Sequence, residues 1–208
     1  MINLFVDTSY KSLFLALLKD ETIIDKIQIM SEFNFSETMI PMLNDLLKKN
    51  NISVKDIDKI FVVVGPGSFT GIRIGLTACK VLSYVLNIPI VPISSLQFMA
   101  TTKVDTKYII PIIDARHNMV FGGVYDNNCN PIILDRYCPL KELTEQFSGN
   151  FTIVTFDENV VDKYILPNYD VEKLIKLHLN DSGENCHSIK PNYLKKTEAE
   201  EKMNDSRV

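Results

Sequence analysis

Few side chains suited to metal or thiol chemistry occur in this 208-residue chain, which has four cysteines and three histidines. Cys79, Cys129, Cys138 and Cys186 form no C-x-x-C pair and no zinc-type spacing. That excludes a zinc module and a disulfide framework, and it fits a reducing cytosol. Cys79, inside an apolar helical run, reads as a buried free thiol. His117, His178 and His187 never recur as H-x-x-x-H or H-E-x-x-H, so a histidine metal centre on one helix is unsupported. Basic charge is in short supply too. With 22 Lys and Arg against 26 Asp and Glu the net charge is −4, which argues against a free-standing nucleic-acid binder. It leaves room for nucleic acid held by another subunit. The apolar run LFLALL (13–18) is too short for a bilayer and reads as a strand. The N-terminus has no signal-peptide pattern, and a cytoplasmic protein is expected.

The chain has enough length to bury a real core, and its ordinary apolar and charged fractions indicate a globular fold. Strand-like segments at 2–9, 11–20 and 21–29 come first, the latter two a hairpin about Lys19-Asp20-Glu21. SETMIPMLNDLLKKN (36–50) follows. Met39, Ile40, Leu43, Leu46 and Leu47 make its helical stripe, Ser36 is its expected N-cap, and Pro41 has to lie near the first turn or kink the helix. KIFVVVG (59–65) is a continuous apolar run, as expected of a strand buried on both faces. A glycine loop, a helix to about Asn87, a strand at 88–94 and a short serine-capped helix complete the first half. Strands at 108–116, 118–126 and 131–139, a modest helix at 141–147 and a strand at 150–156 then repeat the order, and a further helix is expected at 171–179. Asp114 stands in the repeat where Asp7 stood. The pattern predicts a duplicated α/β chain with two mixed sheets. Residues 1–103 form the first lobe, 104–196 a degenerate second lobe, and 197–208 a polar tail that trails in solvent.

Residues 65–75, GPGSFTGIRIG, pose the functional question. A strand turning sharply into a helix aims backbone N–H groups and a positive dipole end at one point, which suits an anion. Asp7, Gly65, Gly67, Ser68 and Thr70 are the candidates for a vestigial phosphate loop. The sharp tests fail, because no Gly-Lys-Ser/Thr ends the loop and Thr70 stands where G-x-G-x-x-G needs its third glycine. Gly65, Pro66 and Gly67 equally supply a tight turn. Gly71, Gly75 and Ala78 recur at helical spacing and leave a groove where another backbone can approach closely, and packing against the chain's own sheet would use that face. From Ile72 to Leu86 only Arg73 and Lys80 are charged, and Ile72, Ile74, Leu76, Val81, Leu82, Val85 and Leu86 make the helix apolar nearly all round. Such a helix is buried on several sides, and a second polypeptide is the favoured occupant of one of them.

Other chemistry finds little support. Asp7 and Asp114 could orient a magnesium-bound water, but each equally caps its strand end. Ser68 lies in no G-x-S-x-G and has no visible base, which leaves a peptidase without a catalytic set.

VDTS (6–9), GPGSFTGIRIG (65–75), IPIVPISSL (88–96), IIDAR (112–116) and PNYLKK (191–196) together resemble the TsaB (YeaZ) family, in order and spacing, over nearly the whole chain. The resemblance implies the duplicated actin-like (ASKHA, ribonuclease H-like) fold. It also implies a non-catalytic subunit for tRNA threonylcarbamoyladenosine formation. The catalytic paralogue TsaD would transfer threonylcarbamoyl to the adenosine beside the anticodon, the ATPase TsaE would join the pair, and tRNA would be met only through the complex. ATP and a metal are expected in those partners, with no cofactor bound by this chain alone; an exposed apolar helix pair would allow self-association in their absence, and the sequence leaves homodimer or monomer open. The implied contact is a four-helix arrangement using the helices at 36–50 and 70–87, with Met39, Leu43, Leu46, Leu47, Gly71, Ile74, Gly75, Ala78 and Leu82 as candidate interface residues. The rival reading is a small actin-fold ATP-dependent phosphotransferase. Phe35 precedes Ser36 where the family usually carries histidine, and Lys195 replaces the arginine of P-x-Y-L-R.

Overall fold

The computed structural model describes residues 1–30, 34–147 and 149–195; the tail expected at 197–208 lies outside them. Strands β1 (Ile2–Asp7), β2 (Ser12–Lys19) and β3 (Thr22–Met30) open the chain. Helix α1 (Phe35–Lys49), strand β4 (Lys59–Gly65), helix α2 (Phe69–Leu86), strand β5 (Ile90–Ser94) and the short helix α3 (Ser95–Met99) follow. The second half holds β6 (Tyr108–Asp114), β7 (Met119–Asp126), β8 (Pro131–Pro139), α4 (Lys141–Thr144), β9 (Phe151–Val154) and α5 (Val171–His178).

These strands build two mixed sheets, one ordered β3-β2-β1-β4-β5 and the other β8-β7-β6-β9. In each, a meander of three antiparallel strands meets a parallel fourth: β1 pairs with β4, and β6 with β9. The repeat read in the sequence is thus a repeat of topology, the duplicated actin-like α/β fold. β2 and β4 are buried almost throughout, which explains their unbroken apolar runs, whereas the edge strand β3 alternates.

One face of the first sheet is covered by α1 and α2, whose Met39, Leu43, Leu46, Leu47, Leu76 and Cys79 pack on Leu4, Val6, Leu13 and Leu15. Burying side chains of this size contributes about 1.5–3 kcal/mol each and fixes both helices on the sheet. The other face carries Phe5, Phe14 and Phe98, with Tyr169 stacked on Phe98 at 4.0 Å. Val171, Leu174 and Ile175 of α5 complete that face. The chain expected in the second lobe at 104–196 therefore returns to the first sheet: α5, Cys186 and Ile189 all join the first lobe's core. Its amphipathic pattern marks a buried stripe without saying which sheet receives it.

Two local expectations change. Asn34, not Ser36, caps α1, its side chain accepting the Ser36 N–H at 3.2 Å. Pro41 falls in the second turn on the exposed side, so the carbonyl of Glu37, four residues earlier, has no helical N–H to accept there.

Candidate functional site

The glycine loop leaves β4 at Gly65, whose φ of 109° is open to glycine and strained for other residues. The loop then runs against the β1–β2 turn. A Cβ on Gly67 would fall far inside contact with the Ser9 carbonyl oxygen, and one on Gly71 would meet the Thr8 carbonyl oxygen. A Cβ on Gly75 would strike Thr8 Oγ1. At Gly71 and Gly75 the small-residue groove of α2 is thus filled by the chain's own Thr8, through its carbonyl and its side chain, which removes both glycines from any surface a partner could touch. Thr8 Oγ1 donates to the Gly71 carbonyl at 2.6 Å and accepts the Gly75 N–H at 3.1 Å.

Two of the loop's amides that a phosphate could use are already engaged. The Ser68 N–H donates to the Ser9 carbonyl at 2.6 Å, and the Gly71 N–H donates to Ser68 Oγ at 3.2 Å as the N-cap of α2. A carbonyl oxygen packed on Gly67 opposes an anion there. The Asn192 N–H donates to the Val64 carbonyl at 2.8 Å, and Ser95 Oγ donates to the Pro66 carbonyl, holding the loop from outside.

Asp7 is buried at the end of β1, and Oδ1 accepts the Ser9 N–H at 2.7 Å. Burial pushes its carboxyl up to about 6, against the pull of Ser9. Asp114 is exposed, and its Oδ1 accepts the Arg116 N–H at 2.9 Å. Each aspartate closes its own turn. The residue that joins the two strand-end turns is Asp157, which the sequence reading did not single out. Its carboxylate accepts from the Asp114 N–H at 2.8 Å, from Lys11 Nζ at 2.9 Å and from the Tyr10 hydroxyl. Burial pushes Asp157 up, but the Asp114 amide, Tyr10 and Lys11 outweigh it and hold the carboxyl below the usual range. Asp157 thereby bridges the β1–β2 turn to the end of β6. Among the described residues no three His, Cys, Asp or Glu side chains come together as a metal-ligand set.

A different feature lies on the outer side of the helices. α1 and α2 diverge around a groove of about 680 Å³, lined by Phe35, Met39, Ile40, Phe69, Ile74, Ala78, Val81 and Leu82 with Ser36, Thr70, Arg73 and Thr77. Ile40 is 52% exposed, Phe69 48% and Val81 57%, and α2 continues the apolar surface with Tyr84 and Val85 at 68% and 71%. Of the interface residues expected from sequence, Ile74, Ala78 and Leu82 line this groove and Met39 forms its floor. Leu43, Leu46 and Leu47 face the sheet and are buried in the core, so they are not available to a partner. Ile40, Phe69, Val81, Tyr84 and Val85, which the structure leaves exposed, are not among the candidate interface residues, although Ile40 belongs to the α1 stripe and Val81 and Val85 to the apolar circumference of α2 read from sequence. Their signal was the outer edge of the α1 stripe at Ile40 and an apolar continuation of the Thr70–Arg73–Thr77 line. α2 has the length and hydropathy to cross a membrane, yet here it is seated on the first sheet.

A family model described as TsaD: tRNA N6-adenosine threonylcarbamoyltransferase matches residues 29–162. The Bacillus subtilis (strain 168) tRNA threonylcarbamoyladenosine biosynthesis protein TsaB is 39% identical over 126 residues, covering 60% of this chain and 55% of that one. The protein of that name from Buchnera aphidicola subsp. Acyrthosiphon pisum is 27% identical over 171 residues, 77% of each chain. The chain thus spans little more than half the length of the B. subtilis relative it matches. YeaZ from Pseudomonas aeruginosa superposes with a TM-score of 0.76 over 93% of this chain and 99% of that one, at 21% identity, a likeness of fold.

Proposed function

The chain belongs to the TsaD family of the tRNA N6-adenosine threonylcarbamoyltransferase model, with its sequence relatives among TsaB proteins, and we propose that it is a non-catalytic subunit there. Its task is to bind TsaD through the α1–α2 groove and hold that partner in an active geometry. TsaD then transfers threonylcarbamoyl to the adenosine beside the anticodon. ATP and a metal belong to the partner subunits, TsaE docks near the joint, and tRNA is met only through the assembly. The free chain pairs with itself through the same groove, and the work is done in the cytoplasm.

The observation that carries this reading is the groove itself. A helix pair that has already buried its inner stripe still presents Ile40, Phe69, Val81 and Val85 to water. Contiguous apolar surface of this kind on a soluble fold marks a contact with another polypeptide. Covering it removes apolar area from water, a gross gain of about 25 cal/mol per Å² from which the costs of association are subtracted. Against the phosphotransferase alternative stand the committed Ser68 and Gly71 amides and the carbonyl packed on Gly67.

The test is a pair of charge insertions on exposed positions, Ile40→Glu and Val81→Glu, assayed for binding to TsaD of the same organism. Loss of binding with unchanged circular dichroism and melting supports the reading. Full binding by both folded variants would contradict it.

A further inference from the structure

The groove carries a charge that its occupant has to answer. Arg73 is the one charged side chain among the described residues that line it. The guanidinium is held in place on two sides. Its Cζ lies 3.7 Å over the Phe69 ring, and its Nε donates to the Tyr193 hydroxyl at 2.9 Å. Tyr193 in turn stacks on Phe69, with centroids 5.2 Å apart and planes at 25°. The segment bearing Tyr193 is anchored by the Asn192 amide on Val64 and by the buried side chain of Ile189. Among the described residues Arg73 makes no ion pair, and its two Nη groups have no hydrogen-bond partner. The neighbouring cation on α2 is differently engaged, since Lys80 Nζ donates to the Ile189 carbonyl at 3.0 Å.

Exposed to water, such an arginine costs nothing. Once a partner covers the groove, the Nη groups lose their water, and a desolvated cation without an acceptor opposes binding strongly. An apolar occupant alone therefore does not fit this surface. The planar fork of a guanidinium matches a carboxylate in two parallel hydrogen bonds, and a fork already immobilised loses little freedom in making them. A phosphate fits less well, because the groove offers its charge a single cation, with only the Ser36, Thr70 and Thr77 hydroxyls as further polar side chains in a mostly apolar lining.

We propose that the occupant of the groove is an apolar helical face of the partner that brings one Asp or Glu carboxylate onto Arg73, with Phe69 and Tyr193 as the clamp that presents the cation. The proposal rests on the docking reading of this groove. Arg73 would then act as a specificity determinant, rejecting apolar helices that lack the carboxylate.

Calorimetric titration of TsaD with the full chain, at low and at high salt, tests it. Wild type, Arg73→Met, Arg73→Lys, Tyr193→Leu and Ile40→Glu are compared. Arg73→Met keeps the bulk of the side chain and removes the fork; binding weakens at least about 30-fold and loses most of its salt dependence. Arg73→Lys retains the salt dependence with part of the affinity, as a point charge without the fork. Tyr193→Leu weakens binding less and leaves the salt dependence in place. Arg73→Met that binds as tightly as wild type, with the same salt dependence, while Ile40→Glu abolishes binding, overturns the carboxylate proposal and leaves the docking reading standing. A wild-type chain that does not bind TsaD, or an Ile40→Glu chain that binds normally, overturns the docking reading and the carboxylate with it.

Discussion

The ammonium of Lys11 meets the carboxylate of Asp157 at 2.9 Å, tying the turn after β1 to the segment after β9. The same carboxylate takes the Asp114 amide and the Tyr10 hydroxyl. In this chain a side chain of its own bridges the two sheets at the ends of β1 and β6.

Asp157→Ala should therefore lower stability by about 2–3 kcal/mol, the scale of hydrogen bonds to a charged group. Lys11→Met should cost less than about 1 kcal/mol, because Lys11 is 42% exposed and its ion pair is screened. Denaturant unfolding of the two variants gives the comparison. Equal losses would argue that the ion pair, and not the carboxylate's full set of donors, holds the sheets together.

Asp7 gives a pH signature of the opposite sign. Its folded-state value of about 6 lies above the ordinary 3.8, so between those values the native chain holds a proton that the unfolded chain has released. Stability is full below about 4, falls as pH rises to about 6 and then levels, a change of about 3 kcal/mol at most. The lowered Asp157 works the other way: its contribution is present above about 4 and is lost as pH falls through the lower folded value. Asp7→Asn keeps the acceptor for the Ser9 amide, so it should flatten the limb between pH 4 and 6 and raise stability at pH 7. Chemical denaturation across that range reads both effects, and an unchanged limb in Asp7→Asn would contradict the assignment.

Glycine at 75 is a packing requirement. Gly75→Ala places a methyl on Thr8 Oγ1 and should cost about 1–3 kcal/mol through overpacking. Thr8→Ala in the same chain should restore part of the loss by vacating that position. A Gly75→Ala protein that melts like wild type would show that α2 does not approach Thr8 so closely.

Much of this fold was legible in the sequence, because its signals are local. KIFVVVG announced a strand covered on both sides, and β4 occupies the same residues, 59–65. The repeat of strand order gave the second sheet. What the sequence left unread is what depends on distant chain. Nothing near Asp157 marks it as the acceptor of Tyr10, Lys11 and Asp114, and VEKLIKLHL states that a helix has a buried stripe without naming its sheet. The interface illustrates a different difficulty. Apolar residues mark a core face and a docking face alike, so the most regular stripe of α1, Leu43, Leu46 and Leu47, belongs to the core. The proposed docking face lies at the exposed edge of that stripe, at Ile40, and at Val81 on the line of Arg73 and Thr77.

Core and groove can be separated by a pair of substitutions on one helix. Leu46→Asp buries a carboxylate among apolar neighbours and should unfold the protein or cost more than about 3 kcal/mol. Ile40→Glu, on the exposed side, should change stability by less than about 0.5 kcal/mol while weakening the complex at least a hundredfold. Thermal melts and binding titrations of both variants give the two quantities.

The proposed function requires that the α1–α2 groove seat a TsaD partner. The most direct measurement is the mass, by light scattering during size exclusion, of the purified chain mixed with TsaD of its own organism. A one-to-one complex should replace the free species and should fail to form with the Ile40→Glu chain. Separate elution of the two proteins, with ATP and TsaE also present, would contradict it.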